Sequence, residues 1–333
     1  MVKEKDFKKA VGLINKSKEV LITTHIRPDG DACGCMIAMA KAIEALGKNT
    51  RLLTLSPIPS WYEFLFEENV AVFGEDVTLE QLMEGQFDDF DLIVLLDVNS
   101  DNQLPGFCEY LKKNDKKVLA VDHHLTGDGH GDIELLDTSA AATGLIVYDL
   151  FRFAKWPITD KIAKSLFVAI ATDTGWFQFD NTDGRVHRVC GELIEAGVNT
   201  TEVYHQLYQN YSVERFNLMV RMLNSLEFHF DGRLAIQQIT QTDFEESGAA
   251  YNDTENLIDE CRKVGSVEAA VLLVETSDGR VRCSLRSLGS VDVLKIASAF
   301  GGGGHKMAAG AHLEMSLEQA KKAVKAEIEK QLQ

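Results

Sequence analysis

The chain predicts an α/β fold, a parallel sheet flanked by helices followed by a second, smaller α/β domain of mixed sheet. Three observations carry this expectation. In the first half, short and almost wholly apolar runs alternate with segments of helical period, the texture of strands buried on both faces and joined by crossover helices. From Leu226 onward the runs shorten and alternate apolar with polar residues. Finally, the apolar runs of the first half end in acids or histidines. Leu21 to Thr24 leads into His25-Ile26-Arg27-Pro28-Asp29-Gly30-Asp31, Leu92 to Leu96 into Asp97, and Val118 to Val121 into Asp122-His123-His124. A helix-like run, Val168 to Thr172, leads into Asp173. In an open parallel sheet, ligands bind beyond the carboxyl ends of the strands, so these groups would meet along one edge.

Taken in order, 6–15 has helical spacing, 19–25 reads as a strand, about 32–46 as a helix, 51–55 and 91–97 as strands, 106–113 as a helix and 117–122 as a strand. Two further helices are expected at 139–153 and 160–170. The segment 186–225 reads as wholly helical, with Leu193, Val203, Leu207, Phe216, Met219 and Leu223 at helical spacings. Strands follow at 226–230, 233–239, 268–275 and 279–287, around a helix at 254–264. Asp231-Gly232 is a hairpin turn between the first two. An apolar helix at 291–300 precedes four glycines, and 317–332 is an amphipathic, solvated helix. The expected division is 1–185 and 226–333, with a helical linker at 186–225.

At 333 residues, 45% hydrophobic and 26% charged, the chain can bury two cores. No apolar stretch reaches the roughly 20 residues that cross a bilayer, and the N-terminus lacks the apolar core of a secretion signal. A cytoplasmic protein without membrane partners is expected, its six cysteines remaining thiols. The net charge of −17 argues against electrostatic capture of long duplex DNA. Short anionic substrates stay compatible, because bound divalent ions reverse the local field.

A core has no use for carboxylates, and several side by side without cations repel one another and resist desolvation. Pro28 and Gly30 break the first strand into a turn, so that several side chains can face one point, and the helix that follows begins with small residues, Ala32, Cys33 and Gly34. Its N-terminus adds a positive dipole end. His123 and His124, if still in an extended strand, point to opposite faces, leaving one as a metal ligand and the other for substrate. Oxygen and imidazole donors without sulfur suit manganese above all, or magnesium or cobalt. A pair of such ions about 3.5–4 Å apart, sharing one carboxylate, is the arrangement used in phosphoryl hydrolysis.

His25-x-x-Pro28-Asp29-x-Asp31, Asp97, Asp122-His123-His124 and Asp173 together resemble the four motifs of the DHH phosphoesterases. The resemblance implies one divalent cation on His25, Asp29 and Asp97 and a second on Asp31, Asp97, His123 and Asp173, with Asp97 as the bridge. It also implies that His124 meets the substrate phosphate or protonates the leaving oxygen, with Asp122 supporting the histidines. One position departs from the pattern: Gln103 stands where an arginine is expected in many relatives.

Gly301-Gly302-Gly303-Gly304-His305 follows an apolar helix and precedes the small-residue run Met307-Ala308-Ala309-Gly310, which is unlike a linker. Glycines permit close backbone approach and can offer N–H groups to an anion, and His305 can bond a phosphate or a base. The stretch resembles the GGGH motif of DHHA1 domains. The strand Val281 to Ser287 resembles that family's substrate-binding strand, nominating Arg282, Ser284, Arg286 and Ser287, with Arg286 foremost because arginine suits bidentate phosphate contacts. Domain order matches the stand-alone nanoRNase/pAp phosphatase group. The implied activity is hydrolysis of short single-stranded oligonucleotides to mononucleotides, and of 3′-phosphoadenosine 5′-phosphate, by hydroxide attack on phosphorus. Alternatives are a phosphodiesterase of pApA or cyclic dinucleotides, or a non-catalytic nucleotide sensor; an oligomer is compatible with the sequence. Cys33 and Cys35 read as packing residues. His130, His187, His205, His229 and His312 read as solvated or simply hydrogen-bonded. Trp61, Tyr62, Phe64 and Phe66 read either as base-stacking rings or as the core face of a short helix.

Overall fold

The computed structural model describes residues 1–85, 89–98, 100–124 and 127–332. The chain divides into two compact units, Met1–Asn210 and Tyr211–Gln333.

The first unit contains α1 (Glu4–Lys16), β1 (Glu19–Thr24), α2 (Gly30–Ala45), β2 (Asn49–Thr54), β3 (Ala71–Val72), α3 (Leu79–Met83), β4 (Leu92–Leu96), α4 (Phe107–Lys113), β5 (Lys117–Asp122) and β6 (Ile133–Leu136). α5 (Thr143–Ala154), α6 (Asp160–Asp173), α7 (Gly184–Glu195) and α8 (Thr200–Tyr208) complete it. Its six strands are all parallel, in the order β3-β2-β1-β4-β5-β6. The chain steps outward from β1 to β3 and then returns to place β4 on the other side of β1, so the topological switch lies between β1 and β4. Both faces are covered. Val20, Ile22, Leu92, Val94 and Leu96 pack under α1, α2, α5 and α6. Leu21, Ile93 and Leu95 pack against Leu82 of α3 and Phe107 and Tyr110 of α4. Each fully buried aliphatic side chain of this kind contributes about 1.5–3 kcal/mol, which is why these strands read as continuous apolar runs.

The second unit contains α9 (Val213–Asn224), β7 (Glu227–His229), β8 (Leu234–Ile239), α10 (Gln241–Ser247), β9 (Ala269–Glu275), β10 (Val281–Ser287), α11 (Val293–Ala299), β11 (Gly303–Gly304), β12 (Ala308–Leu313) and α12 (Leu317–Leu332). The strand order is β11-β12-β10-β9-β8-β7, with β8–β9 parallel and the other neighbours antiparallel. Val281, Cys283 and Leu285 face a core with Ile296 of α11 and Val324 and Ile328 of α12. Ala270, Leu272 and Val274 face another, with Leu218 and Met222 of α9 and Leu257, Ile258 and Cys261.

Several expectations need correction. The segment 254–264 is not an α-helix but two 3₁₀ segments, Tyr251–Thr254 and Leu257–Lys263, because Asn256 adopts a left-handed φ of 59° between them. β3, β6 and β12 escaped the sequence reading. The first two are short edge strands, and β12 is built of alanine and glycine, whose weak side-chain pattern hides it. The segment 186–225 is helical in three pieces, α7 and α8 in the first unit and α9 in the second. The 3₁₀ segment Ser60–Leu65 buries Tyr62 and Leu65, and Trp61, Phe64 and Phe66 pack against the same core, as a core face does. Among the described residues, no helix is long and apolar enough to cross a membrane.

Candidate functional site

His25 follows β1 and Asp97 follows β4, so the two residues flank the switch point of the parallel sheet, and the Thr24 hydroxyl ties the strand ends by donating to Leu96 O at 2.7 Å. Asp97 leaves the strand with a left-handed φ of 60°, a conformation aspartate tolerates better than most residues. Its backbone N–H still donates to Val121 O at 2.9 Å, and its carboxylate is 2% exposed. His25 Nδ1 pairs with Ile26 O at 2.9 Å, which turns Nε2 toward Asp97 Oδ2 at 3.5 Å and Asp29 Oδ1 at 3.9 Å. His123 is held the same way: Nδ1 pairs with Ala140 O at 3.1 Å, and Nε2 faces Asp97 Oδ1 at 3.6 Å and Asp173 Oδ2 at 3.5 Å. With Nδ1–H donating to a carbonyl, each neutral imidazole offers its Nε2 lone pair inward, the orientation of a metal ligand.

Asp29 caps α2, accepting from Ala32 N at 3.0 Å. Asp31, in the first turn of that helix and 1% exposed, accepts from Thr143 N at 2.6 Å and Gly144 N at 2.9 Å. Those are the first amides of α5, whose own cap residue, Ala142, has no side chain to satisfy them. Thr143 Oγ1 also donates to Asp97 Oδ1 at 2.9 Å. Thr143 and Gly144 were missed from the sequence; the small-residue run Ala140-Ala141-Ala142-Thr143-Gly144 was the available signal. Asp173 is the last residue of α6, and α6 reaches this point because Gly34 of α2 lies under Ser165 and Ala169, where any side chain would collide. Cys35 on the same helix is buried and donates its thiol to Asp31 Oδ1 at 3.3 Å.

All seven residues therefore converge. Three overlapping groups, His25–Asp29–Asp97, Asp31–His123–Asp173 and Asp97–His123–His124, each present donor atoms within 4.8 Å of one another. The adjacent histidines do not splay to opposite faces as expected, because β5 ends at Asp122. Their rings lie edge to face with centroids 4.6 Å apart, both beside Asp97. Asp122 Oδ1 pairs with His124 Nδ1 at 2.7 Å and accepts from His123 N at 2.8 Å, so its carboxylate orients the His124 ring, whereas Ala140 orients that of His123. Burial, reinforced by the charges of Asp97 and Asp29, pushes Asp173 up to about 8, and burial with Asp97 and Asp173 pushes Asp31 up as well. For His25, burial opposes protonation, but the hydrogen bond it donates to Asp97 and the Asp29 charge prevail and raise it to about 9. His124 is raised to about 9, chiefly by Asp122. Several carboxyls brought together among imidazoles repel one another unless a cation joins them, and the oxygen-and-imidazole donor set fits divalent ions.

Gln103 accepts from Ser100 Oγ at 2.9 Å through its side chain, and its carbonyl accepts from Ile26 N at 2.9 Å. His130, read from the sequence as solvated or simply hydrogen-bonded, lies 3.2 Å from Asp101 Oδ1 and groups with Asp128, because the turns after β4 and β5 meet beyond the sheet edge.

In the second unit, Arg282, Ser284 and Arg286 share one half-exposed face of β10, opposite His312, Gly310 and Ala308 of β12. Arg286 Nε lies 3.8 Å from Asp259 Oδ1. Ser287 does not join them. Strand alternation turns it to the buried side, 2% exposed, where its hydroxyl accepts from Gly289 N at 3.0 Å. The glycine loop also differs from expectation, since the amides of Gly301, Gly302 and His305 donate to Ser298, Ala297 and Ala308 carbonyls rather than to an open anion site. Close approach explains two of these glycines: a Cβ on Gly302 would collide with Gly310 O, and one on Gly304, whose φ is 134°, would stand 2.6 Å from Ala308 O. The His305 side chain remains exposed.

A parallel α/β unit with a histidine–aspartate cluster at its switch point, joined to a mixed-sheet unit bearing a glycine–histidine loop, defines a two-domain phosphoesterase of the DHH/DHHA1 type. Residues 19–170 match the DHH family, N-terminal domain, and residues 231–332 match the DHHA1 domain, and the chain belongs to this family. It is similar to the bifunctional oligoribonuclease and PAP phosphatase NrnA of Thermus thermophilus, 32% identical over 94% of this chain and 90% of that protein. NrnA of Bacillus subtilis is 26% identical over 88% and 89%. The cyclic-di-AMP phosphodiesterase PdeA of Listeria monocytogenes is 26% identical over 96% of this chain but 47% of its own length. The crystal structure of an exopolyphosphatase-related protein from Bacteroides fragilis shares the fold, with a TM-score of 0.90 at 20% identity over 100% of this chain and 98% of that one.

Proposed function

We propose that this chain is a cytoplasmic hydrolase that releases mononucleotides from short single-stranded oligonucleotides and dephosphorylates 3′-phosphoadenosine 5′-phosphate. The observation that carries the reading is the convergence of His25, Asp29, Asp31, Asp97, His123 and Asp173 at the switch point of a parallel sheet, in a chain 32% identical to an oligoribonuclease and PAP phosphatase. His25, Asp29 and Asp97 would hold one divalent cation and Asp31, Asp97, His123 and Asp173 another, manganese being the favoured ion. When bound, these cations supply Lewis-acid chemistry, activating a water and neutralising the charge that develops on phosphorus. His124, fixed through Nδ1 by Asp122, presents Nε2 to the substrate, and its raised protonation lets it donate a proton to the leaving oxygen. Arg286, Arg282, Ser284 and His305 hold the nucleotide's phosphates and sugar on the second unit. Six free cysteines fit a reducing compartment.

A second reading, hydrolysis of pApA or cyclic dinucleotides, is favoured by the likeness to PdeA over 96% of the chain. Purified protein incubated with manganese and, separately, di- to pentanucleotides, 3′-phosphoadenosine 5′-phosphate and cyclic di-AMP separates the two by product analysis. Binding without cleavage of any of them would instead mark a nucleotide sensor.

A further inference from the structure

A cavity of about 420 Å³, within the range of small-ligand sites, opens in the second unit at the far end of β10 from the glycine loop. Phe244 of α10 and Tyr251 form one wall, their ring centroids 6.3 Å apart and tilted by 31°. His312 of β12, Gln241 and the turn residues Thr276, Ser277 and Asp278 also line it. The Arg282 guanidinium lies 5.8 Å from the Tyr251 ring centroid, which places it at the cavity's edge. Aromatic faces together with an amide and an imidazole can stack on a heterocycle and bond its polar edge. The Asp278 carboxylate is itself taken up by the Arg280 guanidinium and the Thr276 hydroxyl.

The face leading to this cavity is ordered by strand register. Arg282 pairs with His312, Ser284 with Gly310 and Arg286 with Ala308, and Gly303 lies opposite Gly310 on the next strand. Its centre, at Ser284, Gly310 and Gly303, carries almost no side-chain bulk, while the two arginines stand four residues or about 13 Å apart along β10. That separation is roughly two nucleotides of an extended single strand, which lies along a basic groove with its bases stacked on aromatic rings.

We propose that the Phe244–Tyr251–His312 cavity is a nucleobase subsite for a nucleotide remote from the one held at Arg286, so that this face measures oligonucleotide length. The proposal rests on the oligonucleotide reading above and adds to it the place of a distal base.

The test measures binding by the full-length protein in EDTA, where no turnover occurs, using calorimetry with 3′-phosphoadenosine 5′-phosphate and with oligoadenylates of two to five residues. Wild-type affinity should step up about tenfold at the length that reaches the cavity. Tyr251→Ala and Phe244→Ala should each weaken that length and longer ones by about five- to a hundredfold, the range for loss of one base stack, with 3′-phosphoadenosine 5′-phosphate unchanged within twofold. Tyr251→Phe should restore most of the loss, which separates stacking from a folding defect. Equal weakening of all ligands, or none of any, would overturn the subsite. If Tyr251-dependent binding is seen but manganese brings no cleavage, the catalytic reading fails and the subsite stands. Normal cleavage of every length by Tyr251→Ala would have the opposite meaning.

Discussion

At the carboxyl edge of the first sheet, Asp31 and Asp97 are 1% and 2% exposed, enclosed by helices on both faces, whereas on the second sheet Arg282 and Arg286 stand half-exposed above a floor of glycine and serine. Both sheets have six strands. What differs is what covers them. Burial in the first unit makes every charge respond strongly to its neighbours, so Asp31 and Asp173 are pushed upward while Asp97, beside His25, is held down, and a cation would let all three ionise together. The arginines of the second unit remain near water, where each contact with a phosphate is worth less and can be lost singly. On the proposed function, chemistry would fall to the first unit and substrate choice to the second.

The largest effect should come from the shared carboxylate. Asp97→Asn is expected to lower turnover of a dinucleotide on the order of 10³-fold or more, because both cation groups lose a ligand. Near-normal turnover in that variant would remove the bridge and, with it, the contrast between the units.

Protonation gives a second test. Asp173 sits at about 8 against an ordinary 3.8, so the folded, metal-free protein holds an extra proton between those values and loses stability as pH rises through them. His25, at about 9 against 6.5, contributes stability that is complete below 6.5 and lost as pH rises through 9. Both signs agree. Melting temperature without metal should therefore fall from pH 6 to pH 9, while manganese affinity should rise by roughly tenfold per proton released per pH unit. Calorimetry in two buffers of different ionisation heat would count those protons, and a pH-independent affinity would contradict the buried cluster.

Gly34→Val should place a side chain against Ser165 and Ala169 and push α6 away from α2. An expected loss of about 2–3 kcal/mol in urea unfolding should come with weakened metal binding, since α6 carries Asp173. Unfolding unchanged with metal affinity intact would mean that Asp173 is placed by something else. The smallest effect belongs to the second unit. Arg286→Ala should raise KM for a dinucleotide about tenfold and leave kcat within about twofold, and a fall in kcat alone would move Arg286 from binding into chemistry.

Much of the first unit was legible because strands buried on both faces must be apolar throughout, which makes any acid at their ends conspicuous: Asp97 after Leu92–Leu96 and Asp122 after the apolar part of β5. The second unit was harder to read. β12 lies in a run of alanine and glycine whose value is the absence of side chains, and absence has no periodicity to detect. Ser287 shows the same limit from another side, since one step along β10 separates a half-exposed arginine from a buried serine that fastens a turn.

Residue order alone established where the polar groups stand relative to the apolar runs, because strand and helix periods are local properties of the chain. Which groups touch was a matter of three dimensions. Asp31 meets Thr143 across 112 positions, Asp97 meets both histidines, and Tyr251 meets Arg282, only after sheets and helices have packed. Distance between residues far apart in the chain is set by which helices can approach closely, as Gly34 allows α6 to do, and no local pattern encodes that approach.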